Sequence, residues 1–314
     1  TGRGACACRC HPGVGGLIMK AMLRSKRFWL IAPAVLYIGF FMAVPLVQMA
    51  YVSILERGDY GGVNWGVFSM DAYVSFLFER DLMDNLVLNT DYLQVFARSF
   101  GLSAMTTVFA LILGFPTAFY ISTQPQGRRN FLIFLVTIPF WTNILVRNYA
   151  WMLLLRNGGL VDGMLGWIGI ETGGLDILYT PYAVSIGLTY TYLPFMVLPI
   201  YASLEKLDHR LVEAAFDLGA DKRRAMSRVI LPLAAPGIAA GCILVFIPCL
   251  GAYVTPELLG GGKFMMIANL IGSQFGAARN WPLGAGLGFV LLALVLIAMM
   301  VYSLKFKSLP EESR

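Results

Sequence analysis

Apolar residues in this chain come in long unbroken runs separated by shorter polar stretches. Six runs stand out. They are Phe28 to Leu55, Val95 to Ser122, a third that starts at Asn130 or Phe131 and passes Pro139, Pro181 to Ser203, Gly237 to Thr255, and Leu283 to Leu304. They approach or exceed the roughly 20 residues that an α-helix needs to cross a bilayer. The runs are continuous rather than alternating, which argues against a transmembrane barrel. Backbone polar groups in lipid must pair within their own segment, so the pattern predicts an all-α polytopic membrane protein with six transmembrane helices. The stretch from Trp141 to Arg156 holds Asn143, Arg147 and Asn148, and reads as the end of the third span or as a helix at the interface. Pro248 interrupts the fifth run.

Composition agrees with this pattern. The chain is 58% hydrophobic and 13% charged, with a mean hydropathy of +0.69. Soluble domains carry about 25% charged residues. The net charge of +6 follows from topology rather than from nucleic-acid binding, because the basic residues cluster in alternate loops. The N-terminal segment, the 123–130 loop, the 204–235 loop and the C-terminal tail hold 17 of the 24 basic residues. Lys and Arg mark the cytoplasmic side, so both termini and the 204–235 loop are expected there. The opposite face holds 7 basic and 11 acidic residues.

Of the five cysteines, Cys242 and Cys249 lie in an apolar run and read as small core residues. Cys6, Cys8, Cys10 and His11 form a cluster whose spacing fits no common zinc motif, so no metal site is expected. Met19 or Met22 stands just before the basic stretch that opens the first run, and residues 1–18 read as a start-site artefact.

The polar loop at 204–235 carries the most specific pattern. Leu204, Leu207, Leu211, Ala215 and Leu218 recur at helical spacing and predict one apolar face. Gly219 permits a turn or a close approach. Pro232 and Pro236 mark the re-entry into the membrane, so a helix–turn–helix standing off the bilayer is expected. Within it run Glu213-Ala214-Ala215, Gly219 six residues after the Glu, Val229, and then Leu231-Pro232. A lipid-surface amphipathic loop would explain the basic residues, but not this spacing.

This pattern, between the fourth and fifth of six runs, resembles the EAA loop of the membrane subunits of ATP-driven (ABC) importers. The resemblance implies a MetI-like permease domain over 28–304, a cytoplasmic N-terminal segment at 1–27 and a tail at 305–314. It implies that Glu213, Ala214, Ala215, Gly219, Leu231 and Pro232 belong to a coupling loop docked on a separate ATPase. It also implies two ATPase copies, a second permease and an extracytoplasmic solute-binding protein, in a bacterial inner membrane. Gly260-Gly261-Gly262-Lys263 lacks the first Gly and the Ser/Thr of a phosphate loop. No cofactor is therefore expected on this chain, and ATP and Mg belong to the partner. No catalytic residue is expected either.

Further segments sharpen the resemblance: Ile138 to Asn143, Leu193 to Tyr201, Ser203 to Asp208, Pro256 to Gly261 and Arg279 to Pro282. Together they are similar to the spermidine/putrescine permeases of the PotB/PotH kind, which pair with a PotC-like permease. A flexible polycation needs carboxylates and aromatic faces along its way. Glu257 is the candidate carboxylate, Tyr253 and Trp141 the candidate aromatics, and Asp176 with Glu171 stand at the mouth. Arg147 near the outer boundary needs a partner, such as a carboxylate of the long outer segment or the binding protein. Some polyamine relatives carry Glu where this chain has Ala252. That leaves opines, amino-acid-like compounds and thiamine open as solutes. An ion-coupled secondary transporter would show more spans, repeats and intramembrane ionisable residues. A scaffold whose loop only binds a protein is the third alternative.

Overall fold

The computed structural model describes residues 26–80, 86–167 and 177–307. The Cys6–His11 cluster and the candidates Glu171 and Asp176 lie outside them. α1 (Lys26–Ser53) leads into a small hairpin of β1 (Leu55–Arg57) and β2 (Val63–Phe68), then α2 (Asp71–Leu77) and a second hairpin of β3 (Phe78–Arg80) and β4 (Leu86–Leu88). Both hairpins are antiparallel; β1 and β2 pair Glu56 with Asn64 and Arg57 with Val63. These short elements fill the polar stretch between the first two apolar runs. Arg57 Nη2 donates to Ala278 O at 3.2 Å and Gly62 N–H to Arg279 O at 2.7 Å, tying this segment to the turn before the last helix.

The bundle itself follows. α3 (Thr90–Ser122), α4 (Gln126–Trp141), α5 (Ile144–Leu155), α6 (Leu160–Trp167) and α7 (Pro181–Glu205) precede the polar loop. α8 (His209–Asp217), α9 (Lys222–Ala225), a π-helical turn (Met226–Ile230) and α10 (Leu231–Leu250) come next. α11 (Val254–Gly260), α12 (Ile267–Phe275) and α13 (Trp281–Lys307) complete the chain. Among the described residues five helices are long and apolar enough to cross a membrane, and α4 with the α5–α6 segment supplies a sixth if the bent pair is one span.

The core is the contact of α3, α7 and α10. Small residues let these backbones approach, as membrane helices require in the absence of a hydrophobic drive between them. Met196 of α7 is fully buried there. A Cβ at Gly114 of α3 would stand 2.8 Å from Met196 Cγ, and one at Gly241 of α10 would stand 2.9 Å from its Sδ. Met196 therefore occupies a slot that two glycines leave open. Thr106 and Ser185 hydroxyls meet at 3.2 Å across the buried α3–α7 contact.

Two readings become specific. The third run passes Pro139 as expected, and the stretch after it turns away from the same axis. α4 stops at Trp141, and α5 departs at 91°. Thr142 Oγ1 donates back to Pro139 O at 2.7 Å, and Asn143 Oδ1 accepts from Leu145 N–H at 2.8 Å, capping the new helix. Sixteen and twelve residues give helices of about 24 and 18 Å at 1.5 Å per residue. Each is shorter than the bilayer core of about 30 Å. The fifth span also starts earlier than its apolar run. Helix continues from Lys222 to Leu250, through Pro232 and Pro236. Pro232 follows the π-helical turn Met226–Ile230, in a helix that continues on both sides of it.

Candidate coupling loop and solute path

The polar loop is built by two capped helices around one glycine. Asp208 Oδ1 accepts from Arg210 N–H at 3.0 Å and starts α8. Gly219, at φ +81°, closes it. The N–H groups of Leu218, Gly219 and Ala220 then reach the carbonyls of Ala214, Phe216 and Ala215 at 3.1, 2.9 and 3.0 Å. Asp221 Oδ1 accepts from Arg224 N–H at 2.9 Å and starts α9. Nothing lies within 4 Å of a Cβ built on Gly219, so backbone conformation rather than space selects glycine there.

The single apolar face expected from Leu204 to Leu218 divides in two. Leu204 lies in the last turn of α7 and is buried, whereas α8 begins only at His209. The Lys206–Asp208 turn resets the helical phase. Val212 packs toward the core beside Leu207, while Leu211 is 50% and Leu218 89% exposed. Glu213 and Ala214 are exposed as well, and Ala215 is half-buried. The outward face of α8 thus carries apolar, small and acidic residues together. Beneath α8 lies a cavity of about 330 Å³ lined by Phe119, Leu207, Val212, Phe216, Lys222 and Met226 among others. Leu231 and Pro232 are exposed at the start of α10, beside buried Ile230 and Ala234.

At the opposite end of the bundle the structure brings Tyr253 and Glu257 together through a residue that sequence reasoning missed. Asn269 of α12 is buried, and its Nδ2 donates to Glu257 Oε2 at 2.8 Å and to Tyr253 O at 3.0 Å. Asn269 Oδ1 is buried with no partner among the described residues. The Tyr253 ring lies against Gly272, where a Cβ would stand 2.8 Å from Cε2. Tyr253 itself is 48% exposed and Glu257 is exposed. The carboxylate is therefore fixed on one side and open on the other. The available signal was Asn269 in the apolar stretch Ile267-Ala268-Asn269-Leu270-Ile271.

Trp141 is 81% exposed at the end of α4, edge-on to Phe140 at 6.5 Å. No hydrogen bond or ring contact among the described residues joins it to Tyr253 or Glu257. Arg147 finds no carboxylate among them either. Its Nη2 donates to Thr142 O at 3.0 Å, and its guanidinium sits 5.9 Å from the Tyr190 ring centre. Arg147 thereby holds the Thr142 carbonyl in the turn just after α4.

Comparison with known proteins adds an independent line. Residues 103–305 match the family described as "Binding-protein-dependent transport system inner membrane component". The chain is 38% identical over 273 residues to "Spermidine/putrescine transport system permease protein PotB" of Escherichia coli, covering 87% of this chain and 95% of that protein. The protein of the same name from Haemophilus influenzae is 39% identical over 282 residues, covering 88% and 94%. The fold matches a subunit in the crystal structure of a bacterial ABC transporter involved in import of the acidic polysaccharide alginate. That match has a TM-score of 0.67 at 18% identity, covering 91% of this chain and 98% of that one. The bundle with its standing loop, and the near full-length matches, agree: this chain belongs to the family of inner membrane components of binding-protein-dependent transport systems.

Proposed function

We propose that this chain is one of two permease subunits of an ATP-driven importer whose solute is a polyamine such as spermidine or putrescine. The observation that carries the substrate reading is identity of 38–39% over nearly the whole chain with permeases named for those solutes. The polar loop lies on the cytoplasmic face, with both termini. There α8 docks on one of two ATPase copies, offering Leu211, Leu218 and Glu213. ATP and Mg are held by those ATPase subunits. A PotC-like permease completes the path, and an extracytoplasmic binding protein delivers the solute to the acidic outer face.

Glu257 supplies a fixed negative charge at the outer end, and the exposed Tyr253 face beside it takes ammonium and methylene groups. Trp141, with Asp176 beyond the described residues, forms the rest of this proposed path. Glu257 attracts the cation without holding it in a closed cage, which suits a transit site. The acidic surplus of that face raises the local concentration of cations.

The test is uptake of labelled spermidine by proteoliposomes holding the assembled transporter and its binding protein. ATP-dependent uptake, displaced by putrescine, is expected. Glu257→Gln should raise the half-saturating concentration about tenfold, near the value of one charge-assisted contact. Uptake indifferent to ATP points to an ion-coupled carrier. ATP-dependent hydrolysis stimulated by another solute, with no spermidine uptake, overturns the polyamine reading.

A further inference from the structure

The helix that leads into the bend is held weakly along its length. α4 has no fully buried residue; half-buried Leu132, Ile133 and Val136 pack on the core, and Phe140 meets Phe195 of α7 edge-on at 5.4 Å. One polar side chain at its loop end does more. Arg129 is the fourth residue of α4. Its Nη1 donates to Glu205 Oε1 at 2.6 Å and to Tyr201 Oη at 3.3 Å. Glu205 is the last residue of α7 and lies three residues before Asp208, the cap of α8. Tyr201 lies one turn earlier and is 8% exposed. The guanidinium thus bridges α4 to two successive turns of α7, at the point where the loop departs.

We propose that Arg129 is a positioning residue for coupling. With Glu205 and Tyr201 it fastens the start of α4 to the base of the loop, so that displacement of α8 is carried along α4 to the Thr142–Asn143 bend. This rests on the reading of α8 as the helix that docks on the ATPase. A planar guanidinium can engage a carboxylate and a phenol together, which an ammonium does less well. The ion pair is 23% exposed at Arg129 and 47% at Glu205, so its loss costs little stability. Its effect belongs to motion. With no buried side chain of its own, the loop end of α4 follows Glu205 and Tyr201, and α4 carries Trp141 and the bend at the other end.

Position between two sites does not by itself establish coupling, so the test reads movement directly. Spin labels are placed at Arg128→Cys and Lys206→Cys, both exposed, in a chain whose native cysteines are replaced. Label separation is measured in the assembled transporter without nucleotide and with the ATPase trapped by ATP and vanadate. Spermidine uptake per ATP hydrolysed is measured alongside. With Arg129 in place, the separation is the same in both states. With Arg129→Gln it shifts between states by more than the label's own spread, and uptake per ATP falls about fivefold or more, within the ordinary range of coupling between sites. The swap Arg129→Glu with Glu205→Arg restores both. Equal separation in both states with Arg129→Gln overturns the proposal, as does a swap no better than either single change. Loss of ATPase co-purification with Arg129→Gln also overturns it, because the pair would then shape the docking face. A wild-type transporter that keeps a constant separation but moves no spermidine sinks the polyamine reading and leaves this one standing. A wild-type chain that binds no ATPase sinks both.

Discussion

Asn269 decides how free Glu257 is. Its amide holds one carboxylate oxygen and the Tyr253 carbonyl at once, so the charge keeps a fixed place relative to the ring. Asn269→Leu should therefore weaken spermidine transport nearly as much as Glu257→Gln, by about tenfold in half-saturating concentration, the value of a charge-assisted bond. Uptake kinetics of the two variants check this; an unchanged Asn269→Leu would remove the link from the path. Gly219 offers a second test of single-residue physics. Its φ of +81° is open to Asn but strained for a β-branched residue. Gly219→Asn should keep ATPase binding, whereas Gly219→Val should lower it, as read by co-purification. Glu257 and Tyr253 were legible in the sequence because a charge and a phenol stand out beside an apolar run. Asn269 was not, because one amide in a segment read as loop announces no partner; only the fold places it beside Glu257.

At the scale of elements, the apolar runs located every long helix among the described residues, since burial in lipid leaves the backbone no alternative. What they could not locate were phase and direction. The stripe from Leu204 to Leu218 has the right spacing, yet three turn residues divide it between α7 and α8. The α4–α5 bend depends on hydrogen bonds of Thr142 and Asn143, which hydropathy does not register. The continuity of Lys222–Leu250 was hidden because Pro232 and Pro236 read as the point of re-entry into the membrane. Packing of the three core helices carries its own prediction. Met196 fills the space left by Gly114 and Gly241, so Gly241→Val should overpack the α7–α10 contact. A cost of about 1–3 kcal/mol is expected, as for other added methyl groups in close-packed cores. Thermal unfolding in detergent should show the loss. Met196→Ala combined with Gly241→Val should recover part of it, because the two changes share one slot.

At the scale of the whole molecule, the two ends of the bundle differ in kind. One carries α8, exposed and rich in backbone-defined turns. The other carries a carboxylate fixed by an amide. Seventeen of 24 basic residues fall in the N-terminal segment, the 123–130 and 204–235 loops and the C-terminal tail, which under the positive-inside rule supports the proposed cytoplasmic side for α8. Reporter fusions at Arg314 and at Asn64 should therefore read cytoplasmic and outer, respectively; the reverse result would put the loop where no ATP is available. The central claim is that this loop is where the energy of ATP enters a chain expected to bind none. Its most direct measurement is co-purification of the ATPase with tagged chain, for wild type and for Glu213→Lys, with ATP-driven spermidine uptake by the same preparations. The wild-type chain should bring the ATPase with it and support uptake, and Glu213→Lys should lose both. A Glu213→Lys chain that keeps full uptake, together with a wild type that brings no ATPase, would contradict the account.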